Sequence, residues 1–132
     1  MAELIVTIPG KIERRLSPNA SRHMHWATKK KARDDAQEAA ALYARQSAYE
    51  HDVTGISAAT YHIELGKAKG EKQKDADNLV ASCKAYLDGI AAALGVDDRG
   101  WTLGTVTQVR DPDGTGYLSI RLEWEQAEGA AA

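Results

Sequence analysis

At 132 residues the chain has room for one domain with its own core and too little for two. A formal charge of -2 and a pI near 6.1 exclude a uniformly basic nucleic-acid binder, and a single cysteine excludes an internal disulfide. No long apolar run and no cleavable signal pattern opens the chain, so the expectation is a cytoplasmic domain over residues 1–125 with no membrane partner, followed by a disordered tail at 126–132.

Leu4, Val6 and Ile8 alternate with Ile5 and Thr7 before Pro9 and Gly10 end the run, which predicts a first strand. Lys11 to Thr28 then reads as a long irregular loop holding the turn Ser17-Pro18-Asn19 and the cluster His23, Met24, His25, Trp26. Loops of that length in a small domain usually either carry function or move. The two histidines leave three readings open: a metal contact without the companion ligands of a zinc site, a DNA contact, or ordinary loop packing.

From Ala27 to Glu50 the residues are strong helix formers, and Ala36, Ala40, Tyr43 and Ser47 keep helical spacing, which predicts a long amphipathic helix. Its first turns carry Lys29, Lys30, Lys31 and Arg33, charges that the helix dipole disfavours at that end. With Lys11, Arg14, Arg15 and Arg22 they face only Glu13 across this stretch. Such a concentration fits a surface for a phosphate backbone, and equally a solvated face.

After a turn at residues 51–55, Ile56 to Leu65 alternates and predicts a second strand. Ala59, Tyr61, Ile63 and Leu65 lie on one face; Thr60, His62 and Glu64 lie on the other, where His62 and Glu64 either border a site or face solvent. Gly66 to Lys74 reads as a flexible basic connector without an apolar position.

Leu79, Cys83, Tyr86, Leu87, Ile90 and Leu94 recur at three and four, predicting a half-buried helix between capping residues at Asp75 to Asn78 and a stop at Gly95. Cys83 falls on the apolar stripe and reads as a core thiol. Asp77, Lys84 and Asp88 form a charged ridge on the opposite side. Trp101 to Arg110 and Tyr117 to Trp124 then read as two strands, joined as a hairpin by the turn residues Asp111 to Gly116. The order strand, helix, strand, helix, strand, strand predicts an α/β (α+β) fold, a four-stranded mixed sheet with both helices mainly on one face.

Asp75, Asp77, Asn78 and Leu79, then Lys84 and Asp88, then Gly95, Val96, Asp97 and Asp98 resemble the signature of the RusA-type Holliday junction resolvases. The Ser17-Pro18-Asn19 turn with a histidine and tryptophan after it resembles the phage-borne members. The resemblance implies a homodimeric, Mg²⁺-dependent endodeoxyribonuclease, with Mn²⁺ able to substitute, that cuts branched DNA at four-way junctions by paired nicks. It implies a catalytic set of Asp75, Asp77, Lys84 and Asp98, with the three aspartates holding the metal and no organic cofactor. Candidate DNA contacts are Arg14, Arg15, Arg22, His25, Lys29, Lys30, Lys31, Lys67, Lys69, Lys72 and Lys74. In the family pattern the lysine follows the second aspartate by four residues; here Ala81 holds that place, and Lys84 keeps only the K-x-x-x-D spacing to Asp88.

Close carboxylates repel by about 4 kcal/mol per pair at about 4 Å and an effective dielectric of about 20. A divalent cation relieves that repulsion, and oxygen-only donors favour Mg²⁺ or Mn²⁺. Taken singly, the same residues are ordinary: Asp75 and Asp77 as helix caps, Asp97 and Asp98 as turn residues, Lys84 and Asp88 as a surface pair. The functional alternatives are a branched-DNA-binding protein without catalysis, a flap or fork nuclease, and a metal-free partner-binding domain.

Overall fold

A computed structural model of the chain describes residues 1–126, so 127–132 of the expected tail lie outside the described residues. The elements are β1 (Ala2–Pro9), α1 (Pro18–Ser21), α2 (Trp26–Ala48), β2 (Thr60–Lys67), α3 (Ala76–Leu94), β3 (Thr102–Arg110) and β4 (Tyr117–Trp124). Short 3₁₀ turns occur at Arg14–Leu16, Ile56–Ala58 and Asp98–Gly100. The fold is mixed α+β on a four-stranded sheet of order β1-β4-β2-β3. β4 is antiparallel to both β1 and β2, whereas β2 and β3 are parallel, with α3 as the crossover between them.

β3 and β4 are therefore not the hairpin that their turn residues suggest, because β2 lies between them. The 111–116 segment crosses the end of β2, where Asp111 N–H donates to Lys67 O and Lys69 N–H to Gly114 O, both at 2.9 Å. The Asp111 carboxylate braces it by accepting from Asp113 N–H at 3.0 Å and Gly116 N–H at 2.9 Å. Turn chemistry reports that the chain reverses and not where it lands. The landing place is decided by burial: Leu118, Ile120, Leu122 and Trp124 of β4 are all buried and belong at the sheet centre, while β3 exposes Leu103 and Val109 and suits an edge.

The second strand also starts later than its alternation implies. Residues 56–58 form a 3₁₀ turn, the strand runs from Thr60 through Lys67, and the basic connector has an apolar anchor in the buried Ala68. Two tryptophans fasten the segment before it: Trp101 Nε1 donates to Ile56 O at 2.7 Å and Trp124 Nε1 to Thr54 O at 2.9 Å.

The buried residues of α2 are Ala32, Ala36, Ala40 and Ala44, a stripe shifted from the predicted one, with Tyr43 and Ser47 only half buried. Small side chains let α2 approach α3 closely. A Cβ added at Gly89 would lie 2.3 Å from Gln37 O. Leu79, Cys83, Tyr86, Leu87 and Ile90 of α3 join Leu4, Val6 and Ile8, Ile63 and Leu65, and the inward residues of β4 in one core. No helix among the described residues is long and apolar enough to cross a membrane.

Candidate functional site

α3 begins as its sequence implies. The Asp75 carboxylate caps it, one oxygen accepting from Asp77 N–H at 2.9 Å and Asn78 N–H at 3.2 Å. Gly95 ends it at φ 72°, and Val96 N–H turns back to Ala91 O at 3.0 Å. That reversal brings the following 3₁₀ turn against the helix, so Asp98 lies beside the middle of α3 rather than beyond its end.

There Asp98 Oδ2 lies 2.7 Å from Lys84 Nζ, and Asp88 Oδ1 lies 3.0 Å from the same nitrogen. The hydrogen bond from Lys84 holds Asp98 below the usual carboxylate range. Burial raises Asp88, and its hydrogen bond with Asp98 works in the same direction against the opposing effect of Lys84. Bonds to Asp98 and Asp88 raise Lys84 in turn, so the lysine keeps its charge. Asp97 points elsewhere, accepting from Arg99 N–H at 2.9 Å and pairing with Arg99 Nε at 2.8 Å. Cys83, one residue before Lys84, is fully buried and its thiol is pushed up to about 12 by that burial, which makes it inert.

At the N-terminal end of α3, Asp75 lines a cleft of about 330 Å³ together with Arg14, Asn19, Lys74, Asn78 and Ser82. Two links from the helix and sheet define its walls. Glu13 N–H donates to the Tyr86 hydroxyl at 3.0 Å, tying the segment after β1 to α3. Gln108 clasps the backbone of Lys74, accepting from its N–H and donating to its carbonyl at 2.8 Å each. Arg14 and Lys74 thus line the same cleft as the Asp75 carboxylate, while Asp77 stands exposed two positions further along the chain.

Of the expected catalytic set, Lys84 and Asp98 are brought together, and Asp75 and Asp77 are adjacent at the cap. The two pairs are apart. Seven residues separate Asp77 from Lys84, about 10 Å along the axis. Among the described residues neither Asp75 nor Asp77 shares a hydrogen bond or ion pair with Lys84, Asp88 or Asp98, and no group of three or more His, Cys, Asp or Glu is placed to hold a metal ion. The donor chemistry at the cap fits Mg²⁺ of the kind held by one or two carboxylates plus waters and substrate phosphates, since Asp77 is exposed and one Asp75 oxygen is uncommitted to the cap. Asp98, bonded to Lys84, stands outside that shell.

The basic residues divide as well. Arg15 is forked onto Glu13 at 2.7 and 2.9 Å, Lys30 and Lys31 pair with Asp34 and Asp35 at 2.7 and 3.3 Å, and Lys74 pairs with Glu71 at 3.0 Å. Lys67 bonds Gln73 at 2.9 Å, and His25 caps α2 by accepting from Ala27 N–H at 3.1 Å. Arg14, Arg22, Lys29, Lys69 and Lys72 form no salt bridge among the described residues. Sequence reasoning missed Glu13, Asn19, Gln108 and the Tyr86 hydroxyl as parts of the site. Tyr86 sits on the apolar stripe and reads as core, and nothing local to Gln108 reports the backbone it reaches.

No family model matches the chain. Over 88 residues it is 36% identical to an uncharacterized protein of Xylella fastidiosa (strain Temecula1), an alignment covering 64% of this chain and 54% of that protein. The chain thus spans about half the length of the curated relative it matches.

Proposed function

We propose that the chain is a Mg²⁺-dependent, structure-specific endodeoxyribonuclease that resolves four-way DNA junctions as a homodimer. The observation that carries this reading is the use made of α3: Asp75 and Asp77 at its start, Lys84 on its exposed ridge with Asp98 docked onto it, and a cleft where Arg14 and Lys74 flank Asp75. Solvent-exposed acids between cations match the needs of phosphodiester hydrolysis, in which basic groups hold the strand and carboxylates hold a cation. When bound, Mg²⁺ supplies Lewis-acid stabilisation of the charge that develops on the phosphate. Arg14 and Lys74 seat the strand in the cleft. Asp75 and Asp77 offer the cation its protein oxygens, with Asp75 pre-oriented by its capping bonds. Lys84, kept charged and aimed by Asp88 and Asp98, is a positioned hydrogen-bond donor on the exposed ridge of α3.

The division of the acids between the cap and the middle of α3 favours a second reading, in which the protein binds branched DNA without cutting it. Cleavage of a labelled four-way junction with Mg²⁺ or Mn²⁺, beside matched duplex and flap substrates, separates the two. Paired nicks lost in Asp77→Asn are expected. Tight junction binding without nicks under either metal selects the binding protein, and preference for the flap selects a flap nuclease.

A further inference from the structure

The chain has three tryptophans. Trp101 and Trp124 are buried with their indole N–H groups bonded to backbone carbonyls, whereas Trp26 is 69% exposed. Burial of a tryptophan stabilises a fold substantially, and Trp26, at the first turn of α2, leaves that apolar surface open to a ligand. Trp26 borders a cavity of about 220 Å³ shared with Arg15, Leu16, Lys29 and Arg33. The His25 ring leans against it at 5.8 Å and 33°.

The charge pattern around this cavity is selective. Trp26, Lys29 and Arg33 stand at i, i+3 and i+7, on one face of α2. Asp34 and Asp35 neutralise Lys30 and Lys31, while Lys29 and Arg33 form no salt bridge among the described residues. Arg15 enters the cavity already oriented by its fork to Glu13. An exposed indole beside the apolar Leu16, with two cations free of salt bridges at Lys29 and Arg33, is complementary to a group that is flat and aromatic at its centre and anionic at its edge.

We propose that Trp26 is a stacking platform for an unpaired nucleobase of a DNA strand, with Lys29 and Arg33 on the flanking phosphates. The proposal rests on the DNA-acting reading above and adds that the substrate must present at least one unstacked base. A duplex offers none away from its ends; a branch point does. Stacking of this kind is tolerant of sequence because every base has a π-face.

The test is a titration of the intact protein, without metal, by oligo(dT) and by inorganic polyphosphate of matched charge, read by tryptophan emission. Oligo(dT) should quench the red-shifted emission of Trp26, polyphosphate should leave it largely unchanged, and Trp26→Ala should weaken binding of labelled oligo(dT) about tenfold. Lys29→Glu should weaken binding and flatten its salt dependence while leaving the emission of the free protein unchanged. Equal quenching by polyphosphate, or unaltered affinity in Trp26→Ala, overturns the proposal in favour of a simple cationic patch. No quenching by oligo(dT) also overturns it and leaves the surface to a protein partner. The nuclease reading is scored separately: junction cleavage without quenching removes only the role of Trp26, and quenching without cleavage removes only the nuclease.

Discussion

Asp98 reaches back fourteen residues to place its Oδ2 2.7 Å from the Lys84 ammonium. The pair fixes the turn after α3 against the middle of the helix, and Asp88 completes it from the next helical turn. Asp98 is held low in the fold, so its contribution to stability is present above the unfolded carboxylate value of about 3.9 and is lost as pH falls through the lower folded value. Lys84 is held high, so its contribution is present below the ordinary lysine value and is lost only as pH rises through the raised one. In Lys84→Met the two carboxylates face each other without a cation. Carboxyl-carbon NMR should then show Asp98 titrating at higher pH than in the wild type. An unmoved Asp98 would mean that the ion pair is broken in solution.

The contact between α2 and α3 leaves no room at Gly89. An added Cβ would lie 2.3 Å from Gln37 O and 2.8 Å from Gln37 Cα, and backbone cannot step aside as a flexible side chain can. Gly89→Ala gains about 1 kcal/mol of helix propensity. It must also push the helices apart, at a typical overpacking cost of about 1–3 kcal/mol. Net destabilisation is expected, seen as a lower midpoint in urea with an unchanged slope. A raised midpoint would show that the helices pack more loosely than this geometry.

Burial dictates the chemistry of Cys83. With its thiol pushed up to about 12 and its surface fully enclosed, it should resist iodoacetamide near pH 8 in the native protein and react readily once urea unfolds the chain. Rapid labelling of the native protein would contradict the packing of α3 on the sheet.

Local patterns and non-local placement were legible in the sequence to different degrees. The stripe from Leu79 to Leu94, the Asp75 cap and the Gly95 stop are properties of neighbouring residues, and they stand where the periodicity puts them. The mixed four-stranded sheet also follows from the pattern of elements. The position of β4 between β1 and β2 does not, because turn residues encode a reversal and carry no record of the next neighbour. Similarly, Lys30 and Lys31 look like free cations until their i+4 partners are counted, whereas Lys29 and Arg33 have Arg33 and Gln37 at that spacing and so no acid to pair with. The separation of Asp98 from Asp77 depends on how the chain folds back after Gly95, which no spacing reveals.

Gln108 supplies the strongest test of how β3 serves the cleft. Its side chain makes two 2.8 Å bonds to the backbone of Lys74, the residue before Asp75, and so fixes where the helix cap begins. Gln108→Leu removes both bonds, each worth about 1 kcal/mol of stability. It removes no carboxylate and no cation from the cleft, but it frees the backbone that carries Lys74 and Asp75. If Asp75 carries a catalytic cation, this displacement should lower kcat for junction cleavage about ten- to a hundredfold. KM should rise less than kcat falls, because of the cations that hold the strand only Lys74 is tied to Gln108. Gln108→Glu keeps the acceptor for Lys74 N–H and loses the donor to its carbonyl, so it should fall between the two. A loss confined to KM would assign Gln108 to the binding surface, and unchanged cleavage in both variants would mean that the position of Asp75 does not govern the reaction.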